Sequence, residues 1–169
     1  MDIKKTARLG LLTAVALTIF LVEARLPAVA PIPGVKLGLA NIVTVFTVFT
    51  MGPGAGAAVL FARIFLGTLF GGNFGAILYS AAGGGLAILT TIGLRRVLTE
   101  KQIWVAGCLG AVAHSIGQMI VAAGVTGTVA VLVYLPVMVV ISIITGLFTG
   151  LCAQFLVNRG GNLWKTFLK

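Results

Sequence analysis

Apolar residues run through this chain in long continuous stretches, separated by short breaks that are rich in glycine and proline. A segment needs about 20 mostly apolar residues to cross a hydrocarbon core of about 30 Å. Helices are favoured over strands because the stretches lack the alternating pattern of a β-barrel. The pattern predicts six membrane-spanning helices, at about residues 6–26, 35–51, 54–71, 74–94, 102–124 and 128–157.

The breaks between the predicted helices carry the residues that let a chain reverse direction. They read PAVAPIPG, MGPGAG, GGNFG and GVTGT, and glycine and proline are the residues that most often mark turns. The last stretch is longer than one crossing requires. Pro136 kinks it, its beginning forms an external loop, or a tilted helix absorbs the excess length.

Composition leads to the same class of protein. The chain has 169 residues, of which 59% are hydrophobic and 9% charged, and its mean hydropathy is +1.16. A soluble domain is about 25% charged, so this chain lacks the charges that a water-exposed surface needs. We therefore expect an all-α integral membrane protein, with a single transmembrane domain of six helices over residues 1–169.

The distribution of Lys and Arg predicts how the helices are oriented. With the N-terminus in the cytoplasm, nine of the twelve basic residues lie on the cytoplasmic side, as the positive-inside rule requires. We expect both termini in the cytoplasm, a multi-pass location in the plasma membrane, contact with membrane lipid, and no nucleic-acid partner despite the net charge of +9. The predicted cytoplasmic residues are Lys4, Lys5, Arg8, Arg95, Arg96, Lys101, Arg159, Lys165 and Lys169.

Polar side chains within the predicted helices are few, and each is costly in a bilayer. Lys36 is predicted at the outer surface, with Asn41 about 7–8 Å deeper on the same helix and sharing a face with Gly38. Most other polar groups also map to the outer half, which predicts an exterior-facing cavity with apolar walls. The candidate substrate-binding residues are Lys36, Asn41, Arg63, Tyr79, His114 and Gln118.

Each candidate also has a structural explanation. Arg63 costs about 2.5–3.5 kcal/mol at mid-membrane, and it either binds an anionic group or hydrogen-bonds helix ends and snorkels. His114 and Gln118 share a helix face, where polar neighbours across helices also satisfy such groups. Lys36 serves equally as a headgroup anchor, whereas the Asn41 amide needs several partners. A single histidine without neighbouring carboxylates or thiolates predicts no metal site.

Three segments in order carry a family resemblance: IPGVKLGLANIVTVF, ARIFLGTLFGGNFGAILYSAAGGG and GAVAHSIGQMIVA. They resemble the heptaprenyl diphosphate synthase component I family, also called Gx transporters. That family is similar to the S components of energy-coupling factor transporters, six-helix proteins that capture a vitamin or similar solute from outside. The resemblance implies a transmembrane T component and two ATPases as partners, with Gly10 and Ala14 as the partner-contact pair. Gly10 stands where alanine is usual.

Two functions follow as hypotheses. The first is an S-component-like subunit that captures a small vitamin, a flavin or a quinone- or isoprenoid-related solute for uptake powered by partner ATPases. The alternative is a non-catalytic accessory subunit, either of heptaprenyl diphosphate synthesis beside a prenyl synthase or of a redox complex beside a flavoprotein. We expect no catalytic residue, no cofactor and no enzyme activity of its own, since the chain has no Walker motif. Prenyl transfer also needs clustered acidic Mg²⁺ ligands, and the only acids are Asp2, Glu23 and Glu100.

Overall fold

The computed structural model describes residues 3–26, 36–72 and 74–168, with side chains described as far as Gly160. The PAVAPIPG break and Lys169 lie outside the described residues, as does the side chain of Lys165. The described part contains six α-helices and no strand, which confirms the predicted all-helical fold. The helices are α1 (Ile3–Glu23), α2 (Asn41–Met51), α3 (Pro53–Gly71), α4 (Ala76–Arg95), α5 (Ile103–Thr126) and α6 (Leu135–Leu168).

Five of these helices, all except α2, are long and apolar enough to cross a membrane. The 11 residues of α2 extend only about 16 Å at 1.5 Å per residue, roughly half of a hydrocarbon core. The five long apolar helices support a multi-pass membrane protein.

The second helix begins later than the sequence pattern predicted. Residues 36–40 are not helical, and Gly38 has a φ of +80°, a conformation that glycine adopts more readily than other residues. The Asn41 N–H donates to the Gly38 carbonyl at 2.9 Å, which closes a turn. Asn41 is therefore the first residue of α2, and the predicted helical spacing between Lys36, Gly38 and Asn41 is wrong.

Pro136 does not kink the last helix. It is the second residue of α6, where its missing N–H removes no intrahelical hydrogen bond. A separate 3₁₀ segment, Val129–Tyr134, precedes the helix. The last apolar stretch therefore exceeds one crossing because it contains this 3₁₀ segment as well as the long helix α6.

Glycines allow α5 and α6 to approach closely. A Cβ atom added at Gly107 would lie 2.4 Å from the Cα of Gly150, and one added at Gly146 would lie 2.7 Å from the Cα of Cys108. Close backbone approach of this kind stabilises helix pairs in lipid, where the hydrophobic effect does not drive association. The α5–α6 contact therefore has no room for larger side chains.

This contact gives a direct test of the packing. Gly107→Ala is expected to destabilise the protein by about 1–3 kcal/mol, because the added methyl group must push two backbones apart. The matched control is Gly85→Ala in α4, where an added Cβ meets nothing within 4 Å and helix propensity improves by about 1 kcal/mol. Thermal unfolding in detergent, followed by circular dichroism, measures both; equal midpoints for the two variants would contradict the packing.

Candidate functional site

Several buried hydroxyl groups of the bundle bond to their own helix. Thr47, Thr68, Thr91 and Ser142 each donate to the carbonyl four residues earlier, at 2.6 to 2.9 Å. Such bonds satisfy a hydroxyl group without any other partner. These residues therefore give no sign of a ligand site.

The strongly polar side chains gather instead at one end of the bundle, where α1 ends and α2 begins. We call Glu23, Lys36, Asn41, Arg63, His114 and Gln118 the polar cluster. A small cavity lies within it, lined by Phe20, Glu23, Lys36, Gly38, Arg63, Ser80, His114 and Gln118.

The structure brings most of the predicted substrate-binding residues together. Asn41 is buried beside the cavity, because a Cβ atom on Gly38 would lie 3.0 Å from its Nδ2. Tyr79 is not in the cavity but packs in an apolar cluster with Met119 and Met138. The other four predicted residues line the cavity directly: Lys36, Arg63, His114 and Gln118.

Tyr79 was grouped with the site because it lies in the outer part of α4. Successive residues of a helix point about 100° apart, and the next residue, Ser80, is the one that lines the cavity. Tyr79 therefore lies next to the cavity residue Ser80 but on another face of α4, and its role in substrate binding stays a prediction.

Glu23 is a cavity residue that the sequence analysis did not select. It is buried, with 5% of its surface exposed, and its Oε1 accepts a hydrogen bond from the Gly38 N–H at 2.5 Å. Its carboxylate interacts electrostatically with Arg63 and Lys36. One signal was available, because Glu23 is the only acid inside a predicted membrane span.

The ring of Phe20 contacts both cations of the polar cluster, Lys36 and Arg63. The Lys36 Nζ lies 3.5 Å from the centroid of its ring, and the Arg63 Cζ lies 5.5 Å from it. These are cation–π distances. The ring is fixed against α3, because a Cβ on Gly67 would come within 2.5 Å of its Cε1.

Gln118 binds the backbone that leads into α2. We orient the Gln118 amide so that both its oxygen and its nitrogen have hydrogen-bond partners. The oxygen then accepts from the Lys36 N–H and from His114 Nε2, each at 3.1 Å. The nitrogen donates to the Lys36 carbonyl at 3.0 Å. The His114 Nε2–H thus donates to Gln118 within one helix, whereas the His114 Nδ1 has no hydrogen-bond partner among the described residues. Within the described ranges no three His, Cys, Asp or Glu side chains come together, so His114 has no set of co-ligands there.

Several buried polar atoms of the cluster lack hydrogen-bond partners among the described residues. They are the Nε of Arg63, both amide atoms of Asn41, the second carboxylate oxygen of Glu23 and the Nδ1 of His114. Arg63 is only 2% exposed and Asn41 only 7%. An unpaired buried donor or acceptor lowers the stability of the protein by about 1–3 kcal/mol. These groups are therefore available to form hydrogen bonds with a ligand.

The cavity is closed in this structure. It offers about 10 Å³ to the centre of a water molecule, close to the space that one water needs. Small-molecule sites are roughly 300–1,000 Å³, so the described residues do not form the open cavity that the sequence predicted. A larger ligand requires residues 36–40, which the side chains of Glu23 and Gln118 hold in place, to move outward.

The predicted partner-contact pair lies elsewhere, on the first helix. Gly10 and Ala14 are both exposed on α1, and a Cβ added at Gly10 would meet nothing within 4 Å. They are not used to pack α1 against the rest of the bundle. Their contact with a partner subunit stays a prediction.

Comparison with known proteins adds one finding. A family model described as heptaprenyl diphosphate synthase component I matches residues 12–156, which include the whole polar cluster. No curated protein and no solved structure matches the chain. The family match extends from α1 into α6 and covers well over half of the sequence, so this protein belongs to the heptaprenyl diphosphate synthase component I family.

Proposed function

We propose that this protein captures a small solute in the polar cluster and passes it to partner proteins for uptake. The observation that carries this proposal is the convergence of Glu23, Arg63 and Gln118, from three different helices, on one buried cavity, with Asn41 of a fourth helix buried beside it. Only 9% of the chain is charged, and polar groups placed in lipid are costly. A cluster of this kind marks a binding site more readily than a packing device.

Other residues supply the close helix contacts and the apolar clusters of the bundle. The close contacts between α5 and α6 come from glycines, and the apolar clusters are built from aliphatic and aromatic side chains. The unpaired atoms of Arg63 and Asn41 make the cluster less stable than an apolar core of the same volume. Binding a ligand would supply the missing partners.

The solute enters where residues 36–40 cross the end of the bundle. This segment is the non-helical wall of the cavity, and its backbone at Lys36 already pairs with the Gln118 amide. A ligand with neighbouring donor and acceptor groups would replace that backbone on Gln118. A vitamin, a flavin or a quinone-related solute fits this requirement.

Transport energy would come from partners, in analogy with S components. The chain has no Walker motif of its own. The exposed face of α1 around Gly10 and Ala14 is the proposed contact for a transmembrane T component that works with ATPases. In this arrangement the protein supplies recognition, and its partners supply movement.

The family description supports a second function, an accessory role beside a prenyl synthase. The chain has only three acidic residues, so the clustered Mg²⁺ ligands that diphosphate chemistry needs would belong to the partner. A flavoprotein partner would instead indicate a redox complex. Affinity purification from native membranes separates these functions, since each one predicts a different co-purifying protein: ATPases with a T component, a soluble prenyl synthase, or a flavoprotein.

Asn41→Leu tests whether the polar cluster holds the solute. The variant is expected to reduce the amount of co-purified small molecule at least about tenfold, because it removes an amide that bonds to no described protein group. Its stability should be unchanged or higher, for the same reason. The control is Asn158→Leu on the exposed surface of α6. Native mass spectrometry measures ligand retention, and equal retention in both variants would overturn the site.

A further inference from the structure

We propose that the solute carries a negatively charged group, a carboxylate or a phosphate, which binds between Arg63 and Lys36. This inference rests on the proposed capture function and adds the chemical class of the ligand. It excludes solutes that are only cationic, because a second positive charge in the same cavity would be repelled.

The charge balance of the cavity carries the first step. Among the described residues that line the cavity, Arg63 and Lys36 supply two positive charges and Glu23 supplies the one carboxylate. The site therefore holds one positive charge in excess. Buried charges are stable only when they are paired and hydrogen-bonded, so the excess charge calls for an anionic partner.

The described residues bring no second acid to the cavity. The other acids of the chain are Asp2 and Glu100. Asp2 lies outside the residues that the structure describes. Glu100 is exposed at the start of the segment that leads into α5. The cavity residue His114 lies more than ten residues further along α5, so Glu100 does not reach the cavity. Within the described part of the chain no other acid lines the cavity, and we therefore assign the compensating charge to a ligand.

The free hydrogen-bonding groups point to the same chemistry. The Arg63 Nε is buried without a partner in the described part of the chain, and so are the donor and the acceptor of the Asn41 amide. A guanidinium group forms strong, directional bonds to carboxylate and phosphate oxygens. The Phe20 ring, which contacts both cations, keeps them on one side of the cavity.

The experiment uses simple probes on the purified protein in detergent. Sodium acetate, sodium phosphate and the neutral analogue acetamide are titrated separately at constant ionic strength, and the midpoint of thermal unfolding is followed. Acetate or phosphate should raise the midpoint of the wild-type protein in a saturable way, whereas acetamide should not. A rise that is equal with acetamide, or no rise with either anion, would overturn the inference.

Two variants with opposite expected effects place the anion in the cluster. Arg63→Gln should weaken the apparent Kd for the anion at least about tenfold, since a charge-assisted hydrogen bond is lost. Glu23→Gln should tighten it by a similar factor, because two cations then face the anion without an opposing carboxylate. Arg159→Gln, on the exposed end of α6, is the control and should behave as the wild type.

The variants give an answer even when one of them folds poorly. If Arg63→Gln does not fold, a Kd that is unchanged or weaker in Glu23→Gln is enough to overturn the inference. Equal Kd values in Arg63→Gln and Arg159→Gln would identify an adventitious ion only, and would also overturn it. A neutral or cationic co-purified molecule whose retention depends on Asn41 would contradict this inference while leaving the capture function intact. Anion binding that depends on Arg63, without any co-purified solute whose retention depends on Asn41, would contradict the capture function and leave the anion site intact.

Discussion

Replacing Arg63 with leucine is expected to destabilise the protein by about 3 kcal/mol, because it removes the buried cation that faces the Glu23 carboxylate. Glu23 and Arg63 line one cavity and interact electrostatically, and both are almost fully buried. After the substitution only the half-buried Lys36 faces Glu23. Chemical unfolding in mixed micelles, with the free energy extrapolated to zero denaturant, measures the effect.

The double variant Glu23→Leu with Arg63→Leu shows whether the two residues act as a pair. Replacing both members of a buried ion pair with apolar groups is often neutral or stabilising, so the double variant should recover most of the loss. Coupling of this kind appears as strong non-additivity in a double-mutant cycle. The alternative explanation is that Arg63 extends to the lipid headgroups and does not pair with Glu23. In that case Arg63→Leu would change the free energy of unfolding little, and the effects of the two substitutions would be additive.

The helices were predictable because their signal is strong. Long apolar runs bounded by Gly and Pro set four of them to within a few residues, as for α3 (Pro53–Gly71) and α4 (Ala76–Arg95), whereas α6 (Leu135–Leu168) begins and ends later than the predicted span 128–157. The start of α2 was not predictable from hydropathy, because residues 36–40 are nearly as apolar as the helix that follows. The positive φ of Gly38 separates the two, and a glycine alone does not reveal its φ in advance.

The candidate site was predictable in part, for a related reason. Lys36, Arg63 and Gln118 stand out in an apolar chain because each polar group is costly in lipid. Glu23 was overlooked because charged residues at helix ends are common at membrane interfaces, and its burial depends on the Gly38 turn that folds over it. The small size of the cavity also depends on that turn, which a sequence pattern does not encode.

The structure separates two ends of the bundle that carry different chemistry. Arg25 is exposed just after Glu23, at the end that holds the polar cluster. Arg95 lies at the opposite end of α4 from Ser80, where its Nη1 would be 3.8 Å from a Cβ on Gly52, in the turn between α2 and α3. Capture of a solute from outside requires the first end to face the exterior and the second to face the cytoplasm.

Thiol labelling at these two ends tests the capture account most directly, and its expected effect is all-or-none. Arg25→Cys and Arg96→Cys, both at exposed positions, are made separately in a Cys108→Ala, Cys152→Ala background and treated with a membrane-impermeant maleimide. We expect Arg25→Cys to be labelled in intact cells and Arg96→Cys only after the membrane is permeabilised. Labelling of both positions from the same face, or of Arg96→Cys alone in intact cells, would contradict a site that receives its solute from outside.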